Sequence, residues 1–332
     1  VISDGKLRAC IEAHWGLADA TVQVHNGGMN SATWFVSKGG ERWVAKAVAP
    51  GSRRSFIGGL QAAAHVEAAG VPAGTPVVTR HGSLVADVDE VPLGLLNWVA
   101  GTGLRGENPD EQRLIGTTLA RVHAALSGVT IKDADRFHWV ETQAPHLAVR
   151  PWVRASVAAA LAEYEALDAG SLSWGLLHTD PAPEAFRLDR MTGECGLIDW
   201  SIAMNGPLLY DLASAVMYVG GIDQADHLVE AYLESKTMTR AEVEHGLPAM
   251  LRFRWAVQAD YFAHRLVTDD LTGVSSASDN EMGLENARRL LSRAAPVAAA
   301  GTASTRPVRR GQPATARAAP ARRESGDGMR YA

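Results

Sequence analysis

An α+β fold of two lobes, a small antiparallel sheet followed by a larger helical body, is predicted by three features of this 332-residue chain. Short β-branched and apolar runs separated by Gly, Asn and Pro fill the first hundred residues; helical spacing of apolar residues takes over after Gly101; and a Gly-rich link at 97–103 lies between the two regimes. The expected boundaries are a sheet lobe at 1–100, a helical lobe at 101–293 and a tail at 294–332.

A short helix opens the chain. Strands follow at 22–24, 33–36, 43–48, 77–79, 84–88 and 93–99, interrupted by one helix at 54–69 that stops at Gly70-Val71-Pro72. In the second half, Asn108 is an N-cap followed by Pro109 at the first helical position, and Ile115, Leu119, Val122 and Leu126 recur at helical spacing. Thr239-x-x-Glu242 and Ser278-x-x-Glu281 read as capping boxes opening two further helices. Residues 294–332 are Ala, Pro, Arg, Gly and Thr without apolar periodicity, a composition expected to stay disordered.

Bulk properties narrow the function. The net charge is −5, and the tail holds seven Arg against two acids, so residues 1–293 carry −10. An acidic body argues against a nucleic-acid surface. No apolar stretch approaches membrane-span length and no basic region precedes an apolar core at the start, so a cytoplasmic protein without a membrane partner is expected. Cys10 and Cys195 are far apart and outside any C-x-x-C spacing, which suggests buried thiols. The 11 histidines show no ligand spacing, which speaks against a metal-dependent hydrolase. His123, on the apolar side of its helix, reads as a hydrogen-bonded core residue.

The chemistry concentrates between Leu176 and Ala213. Leu176-Leu177 runs into His178-Thr179-Asp180, and Gly196-Leu197-Ile198 runs into Asp199, 19 residues after Asp180 with a turn at 189–193 between them. A hairpin there would bring two loop carboxylates toward one ligand. Phosphoryl transfer from ATP needs such a pair, one to receive the acceptor's hydroxyl proton and one to hold Mg²⁺ on the phosphates. Turn or helix-cap carboxylates are the other reading of the same residues. In Trp43-Val44-Ala45-Lys46-Ala47-Val48, strand alternation puts Lys46 on the face of Val44 and Val48, where its ammonium needs an anion. Asn26-Gly27-Gly28-Met29-Asn30-Ser31, between two strands, is either a phosphate-facing loop or an ordinary hairpin turn.

These residues resemble the aminoglycoside phosphotransferase family of protein-kinase-like small-molecule phosphotransferases. Its H-x-D loop matches His178 and Asp180, its I-D-W motif Ile198-Asp199-Trp200, and its Y-D-L-A helix opening Tyr210-Asp211-Leu212-Ala213, with weaker similarity over 20–293. The resemblance implies a two-lobed protein-kinase-like fold and O-phosphorylation of a small-molecule hydroxyl, with an aminoglycoside or related antibiotic as the expected acceptor, using ATP or GTP with Mg²⁺. It implies that Asp180 orients and deprotonates the acceptor hydroxyl, that His178 and Asp211 brace the loop, and that Asp199 binds metal. By the same likeness Lys46, Gly27, Gly28 and Ser31 face the phosphates, and Asn97 and Val99 lie in the hinge that meets the base. For the acceptor, Trp255, Asp260, Tyr261, Asp279 and Glu281 are the candidates.

Two positions depart from the family pattern. Ala185 stands where an asparagine ligand is usual, with Glu184 beside it as a substitute metal ligand. In helix 54–69 the only acid, Glu67, comes too late to pair with Lys46. A nucleotide-binding module without turnover is therefore the alternative to an enzyme.

Overall fold

The computed structural model describes residues 2–25, 31–137 and 140–293. Gly27 and Gly28 of the expected phosphate loop, and the tail at 294–332, lie outside the described residues. Helix α1 (Asp4–Trp15) is followed by β1 (Thr21–His25), β2 (Ala32–Lys38), β3 (Glu41–Ala47), α2 (Arg53–Ala68), β4 (Ala86–Val88) and β5 (Val91–Asn97). The strands form one antiparallel sheet in the order β1-β2-β3-β5-β4. Each face of the sheet receives one helix. Leu7, Cys10 and Ile11 of α1 pack with Trp34, Val36, Ala45, Leu93 and Leu95, while Phe56 and Leu60 of α2 pack with Val44, Val48 and Leu96 on the opposite face. Phe56 and Leu60 are fully buried, and each contributes about 1.5–3 kcal/mol of burial.

The expected strand at 77–79 is absent. Val77 N–H donates to Leu95 O and Asn97 N–H to Thr75 O, so the segment touches β5 in one bridge, but residue 79 would next face Leu93, which Ala86 of β4 already pairs, and Val77 O accepts from Trp15 Nε1 instead. Strand β5 also begins two residues before the expected 93, because Asp89 and Glu90 make the β4–β5 turn with φ of 49° and 67°. Asp89 is a residue type that tolerates the left-handed region, but Glu90 stands where such a turn usually has glycine. Helix α2 ends as expected, with Gly70 N–H on Glu67 O and Val71 N–H on Val66 O.

The helical body contains α3 (Pro109–Ala125), α4 (Val153–Glu165), α5 (Leu209–Tyr218), α6 (Asp226–Leu233), α7 (Arg240–Val267) and α8 (Ala277–Arg293). Two small sheets are set into it: β6 (Thr102–Gly103) with β9 (Phe186–Leu188) and β10 (Cys195–Leu197), and β7 (Asp135–Arg136) with β11 (Met204–Pro207) and β8 (Trp174–Leu177). Asn108 caps α3 through Glu111 N–H as expected. Thr239 caps α7 through Glu242 N–H, but the Glu242 carboxylate does not return to the cap; it accepts from Ser173 N–H and Oγ, tying α7 to the start of β8. The second box is displaced. Helix α8 starts at Ala277, and Asp279 instead of Glu281 reaches back, accepting from Ser275 and Ser276 N–H.

One large core fills the helical body, with Tyr210, Phe253 and Trp200 among its buried aromatics. The described residues belong to one compact unit, Val1–Ala295. Among them no helix is long and apolar enough to cross a membrane.

Candidate active site

Strand β8 delivers His178-Thr179-Asp180, the antiparallel β9–β10 hairpin delivers Ile198-Asp199-Trp200, and β11 leads into α5 with Asp211 in its first turn. These segments are tied together by buried hydrogen bonds. Asp211, fully buried, accepts from His178 N–H (2.7 Å) and Thr179 N–H (2.8 Å), and also from His123 Nε2 (3.1 Å). Tyr232 donates to His123 Nδ1 at 2.6 Å, so His123 is the hydrogen-bonded core residue expected, and its partners are the loop brace and α6. His178 Nε2 lies 2.9 Å from Ile198 O, a carbonyl that can only accept, so Nε2 carries the proton. The bond ties the Asp180 loop to the Asp199 loop. His178 Nδ1 has no partner among the described residues.

Thr179 and Asp199 adopt φ of 80° and 76°, in the left-handed region that costs a non-glycine residue about 1–3 kcal/mol. The brace from Asp211 holds the first. The second is anchored by Trp200, whose Nε1 donates to Leu197 O and whose ring meets His178 edge-on at 4.6 Å.

Lys46 comes from β3, opposite Thr33 and Gly94, and its side chain is 8% exposed. Its anion is Asp199: Nζ donates to Oδ1, and Ser201 Oγ donates to the same oxygen at 2.8 Å. Burial raises the Asp199 carboxyl, but Lys46, Ser201 and the nearby His178 outweigh it and bring it to about 2. Asp199 remains a carboxylate with 59% of its side chain exposed, and Oδ2 takes no hydrogen bond among the described residues. The usual helix acid is indeed elsewhere: Glu67 accepts from Ala73 and Thr75 N–H. What α2 brings to the site is Gly59, whose backbone lies so close to Trp200 that a Cβ there would sit 2.4 Å from Trp200 O.

Asp180 Oδ1 accepts from two donors, Tyr218 Oη at 2.6 Å and Arg254 Nη2 at 2.9 Å. No motif marks either residue, although Tyr210, Ser214 and Tyr218 fall four apart on α5 and so share one face. Glu184 is exposed in a 3-10 turn (Pro183–Ala185), and Ala185 is buried with its methyl in the core. Asn97 is exposed at the end of β5, Val99 half-buried after it, and Ser31 half-buried before β2. The 97–103 link is docked on β9 through Arg187, which donates to Gly101 O.

Of the acceptor candidates, Tyr261 accepts from Arg265 Nη1 at 3.0 Å. The others have partners of their own. Asp260 accepts from His146 Nε2 (2.8 Å), Glu281 from Arg150, and Asp279 caps α8; Trp255 packs against the core.

The sequence model of the phosphotransferase enzyme family (APH) matches residues 21–247. The chain is 28% identical over 239 residues to the homoserine kinase of Methylobacillus glycogenes, covering 68% of this chain and 74% of that protein. Two solved structures share the fold with a TM-score of 0.64. One is an amicoumacin kinase in complex with AMP-PNP, Ca²⁺ and Ami (15% identity, 82% of this chain and 89% of that one). The other is a microcompartment-associated aminopropanol kinase (18% identity, 83% and 91%).

Proposed function

Because the chain belongs to the phosphotransferase enzyme family, we propose that it transfers the γ-phosphoryl group of ATP or GTP to a hydroxyl group of a small molecule. The observation that carries this reading is the Lys46–Asp199 ion pair, which joins the sheet lobe's buried cation to a loop that His178 ties to Asp180. Residues 1–100 form the nucleotide lobe in this reading and 101–293 the catalytic and acceptor lobe.

Lys46 holds the phosphates from the apolar face of β3, and the hinge at Asn97 and Val99 meets the base. The acceptor oxygen attacks the γ-phosphorus, the bond to the β–γ bridging oxygen breaks, and the hydroxyl proton passes to Asp180. Asp199 suits a hard cation, being kept ionised with Oδ2 open, and Mg²⁺ accepts one or two carboxylates supplemented by phosphate oxygens and water. Asp199 and Glu184 would hold Mg²⁺, which neutralises charge on the phosphates when bound. Asp211 keeps the backbone of the Asp180 loop in place throughout.

The acceptor follows from charge. Asp260, Asp279 and Glu281 are engaged within the protein, and Arg254 adds a cation beside Asp180, which disfavours a polycationic antibiotic. Similarity to homoserine kinases makes homoserine the first acceptor to test, ahead of aminoglycosides. Ala185, which offers no ligand, favours a second reading in which nucleotide binds without turnover.

The test combines thermal stabilisation by ATP or GTP, with and without Mg²⁺, and release of ADP or GDP with homoserine, 1-amino-2-propanol, spectinomycin and hygromycin B. Saturating nucleotide is expected to stabilise by about 2.7 kcal/mol at ~100 times its Kd. Stabilisation with acceptor-dependent diphosphate release supports transfer. Stabilisation without release supports the second reading, and no stabilisation overturns both.

A further inference from the structure

We propose that Arg254 and Tyr218 are positioning residues for the phosphoryl-transfer base, taking Asp180 Oδ1 between them so that Oδ2 alone faces the acceptor. The inference rests on the phosphotransferase reading and extends it to residues on α5 and α7 that no motif marks.

The geometry is one-sided. Both protein donors to the Asp180 carboxylate converge on Oδ1, and Oδ2 takes none among the described residues, while 55% of the side chain is exposed. A carboxylate on an exposed loop can turn about its last bond; two donors on a single oxygen remove that freedom. Arg254 is itself held, with its side chain 5% exposed. Its Nε donates to Ser214 Oγ at 2.9 Å. With the amide oxygen of Gln258 turned toward it, Nη1 and Nη2 donate there at 3.1 and 3.3 Å. The rings of Tyr210 and Tyr218 lie 5.8 and 6.0 Å from the guanidinium carbon. Stability alone gives little reason for such a group, since an ion pair with one member exposed to water contributes little.

Both donors keep their protons. Burial and the Asp180 charge push the Tyr218 phenol far up, and although burial opposes the Arg254 charge, the hydrogen-bonded Asp180 carboxylate keeps the guanidinium protonated. When the acceptor oxygen forms its bond to phosphorus and ADP departs, the hydroxyl proton therefore goes to Oδ2, the oxygen left with its lone pairs free.

The test measures Arg254→Ala, Arg254→Lys and Tyr218→Phe with ATP, Mg²⁺ and the four acceptors above, alongside thermal stabilisation by ATP. Arg254→Ala is expected to lose about 10²-fold in kcat, as for a misplaced catalytic group, with KM for ATP and stabilisation by ATP unchanged. Free guanidinium, below its unfolding range, should restore at least ~10-fold of that loss in Arg254→Ala and nothing in Asp180→Asn. Arg254→Lys and Tyr218→Phe should fall between, and they carry the test if Arg254→Ala does not fold. Undiminished kcat in these variants overturns the proposal, as does a loss matched by weaker ATP stabilisation and not rescued by guanidinium, which marks a structural role. Turnover of no acceptor by the unsubstituted protein removes the phosphotransferase reading and this proposal with it, an outcome visible before any variant is made.

Discussion

Replacing Asp211 with alanine removes the acceptor of three buried donors at once: His178 N–H, Thr179 N–H and His123 Nε2–H. Each donor left without a partner costs about 1–3 kcal/mol. Part of this returns, because Thr179 is then free to leave its φ of 80°, a conformation that costs about 1–3 kcal/mol. The net expectation is a loss of about 3–5 kcal/mol, the range for breaking a buried charged pair, against a total stability of about 5–15 kcal/mol. Asp211→Asn keeps the volume and one acceptor oxygen and should lose about half as much. Urea unfolding at fixed pH, with the m-value checked for constancy, measures both. A loss below about 1 kcal/mol for Asp211→Ala would show that water or another group takes over these donors, and the idea that one carboxylate braces the Asp180 loop would be wrong.

Gly59→Val puts a branched side chain where even a Cβ lies 2.4 Å from Trp200 O, a backbone atom that cannot swing aside. A destabilisation of about 1–3 kcal/mol and weakened ATP stabilisation are expected, and a variant with unchanged ATP stabilisation would show that α2 does not set the Asp199 loop. The Asp199 carboxyl is depressed to about 2 in the folded chain, so its contribution is fully present above its unfolded value near 3.8 and is lost as pH falls through about 2. The stability difference between the unsubstituted protein and Lys46→Met should therefore shrink in thermal melts taken from pH 3.8 down to about 2, the interval between the unfolded and folded values. A difference that grows on acidification contradicts the ion pair.

The sheet lobe was legible in the sequence wherever side-chain pattern alone decides structure. Strands β1 to β3 and helix α2 lie close to where alternation, helical spacing and the Gly70 stop put them. Strand β5 was misplaced because Asp89-Glu90 turns through positive φ without a glycine to announce it, and 77–79 failed as a strand because β4 takes the edge of β5 at Leu93 that residue 79 would need, a tertiary competition that local pattern does not show. Capping boxes were visible as spacings, yet in Thr239-x-x-Glu242 the tertiary partner Ser173 competes for the glutamate and wins. At the candidate site the carboxylates and Lys46 could be named from motif and alternation. Their partners could not, since Arg254 lies 74 residues from Asp180 and Lys46 lies 153 from Asp199, and local spacing carries no information about pairs so remote. The acids on α7 and α8 illustrate the converse: Asp260, Asp279 and Glu281 looked available for a ligand until His146, the α8 backbone and Arg150 were found on them.

The most direct measurement is phosphorus NMR of the products formed from ATP, Mg²⁺ and each acceptor by the unsubstituted protein and by Asp180→Asn. A new phosphomonoester signal with the unsubstituted protein, reduced at least ~10²-fold in Asp180→Asn while ATP still raises the melting temperature of both, is the expected result. A phosphomonoester formed equally well by Asp180→Asn would contradict the assignment of Asp180 as the group that receives the acceptor's proton.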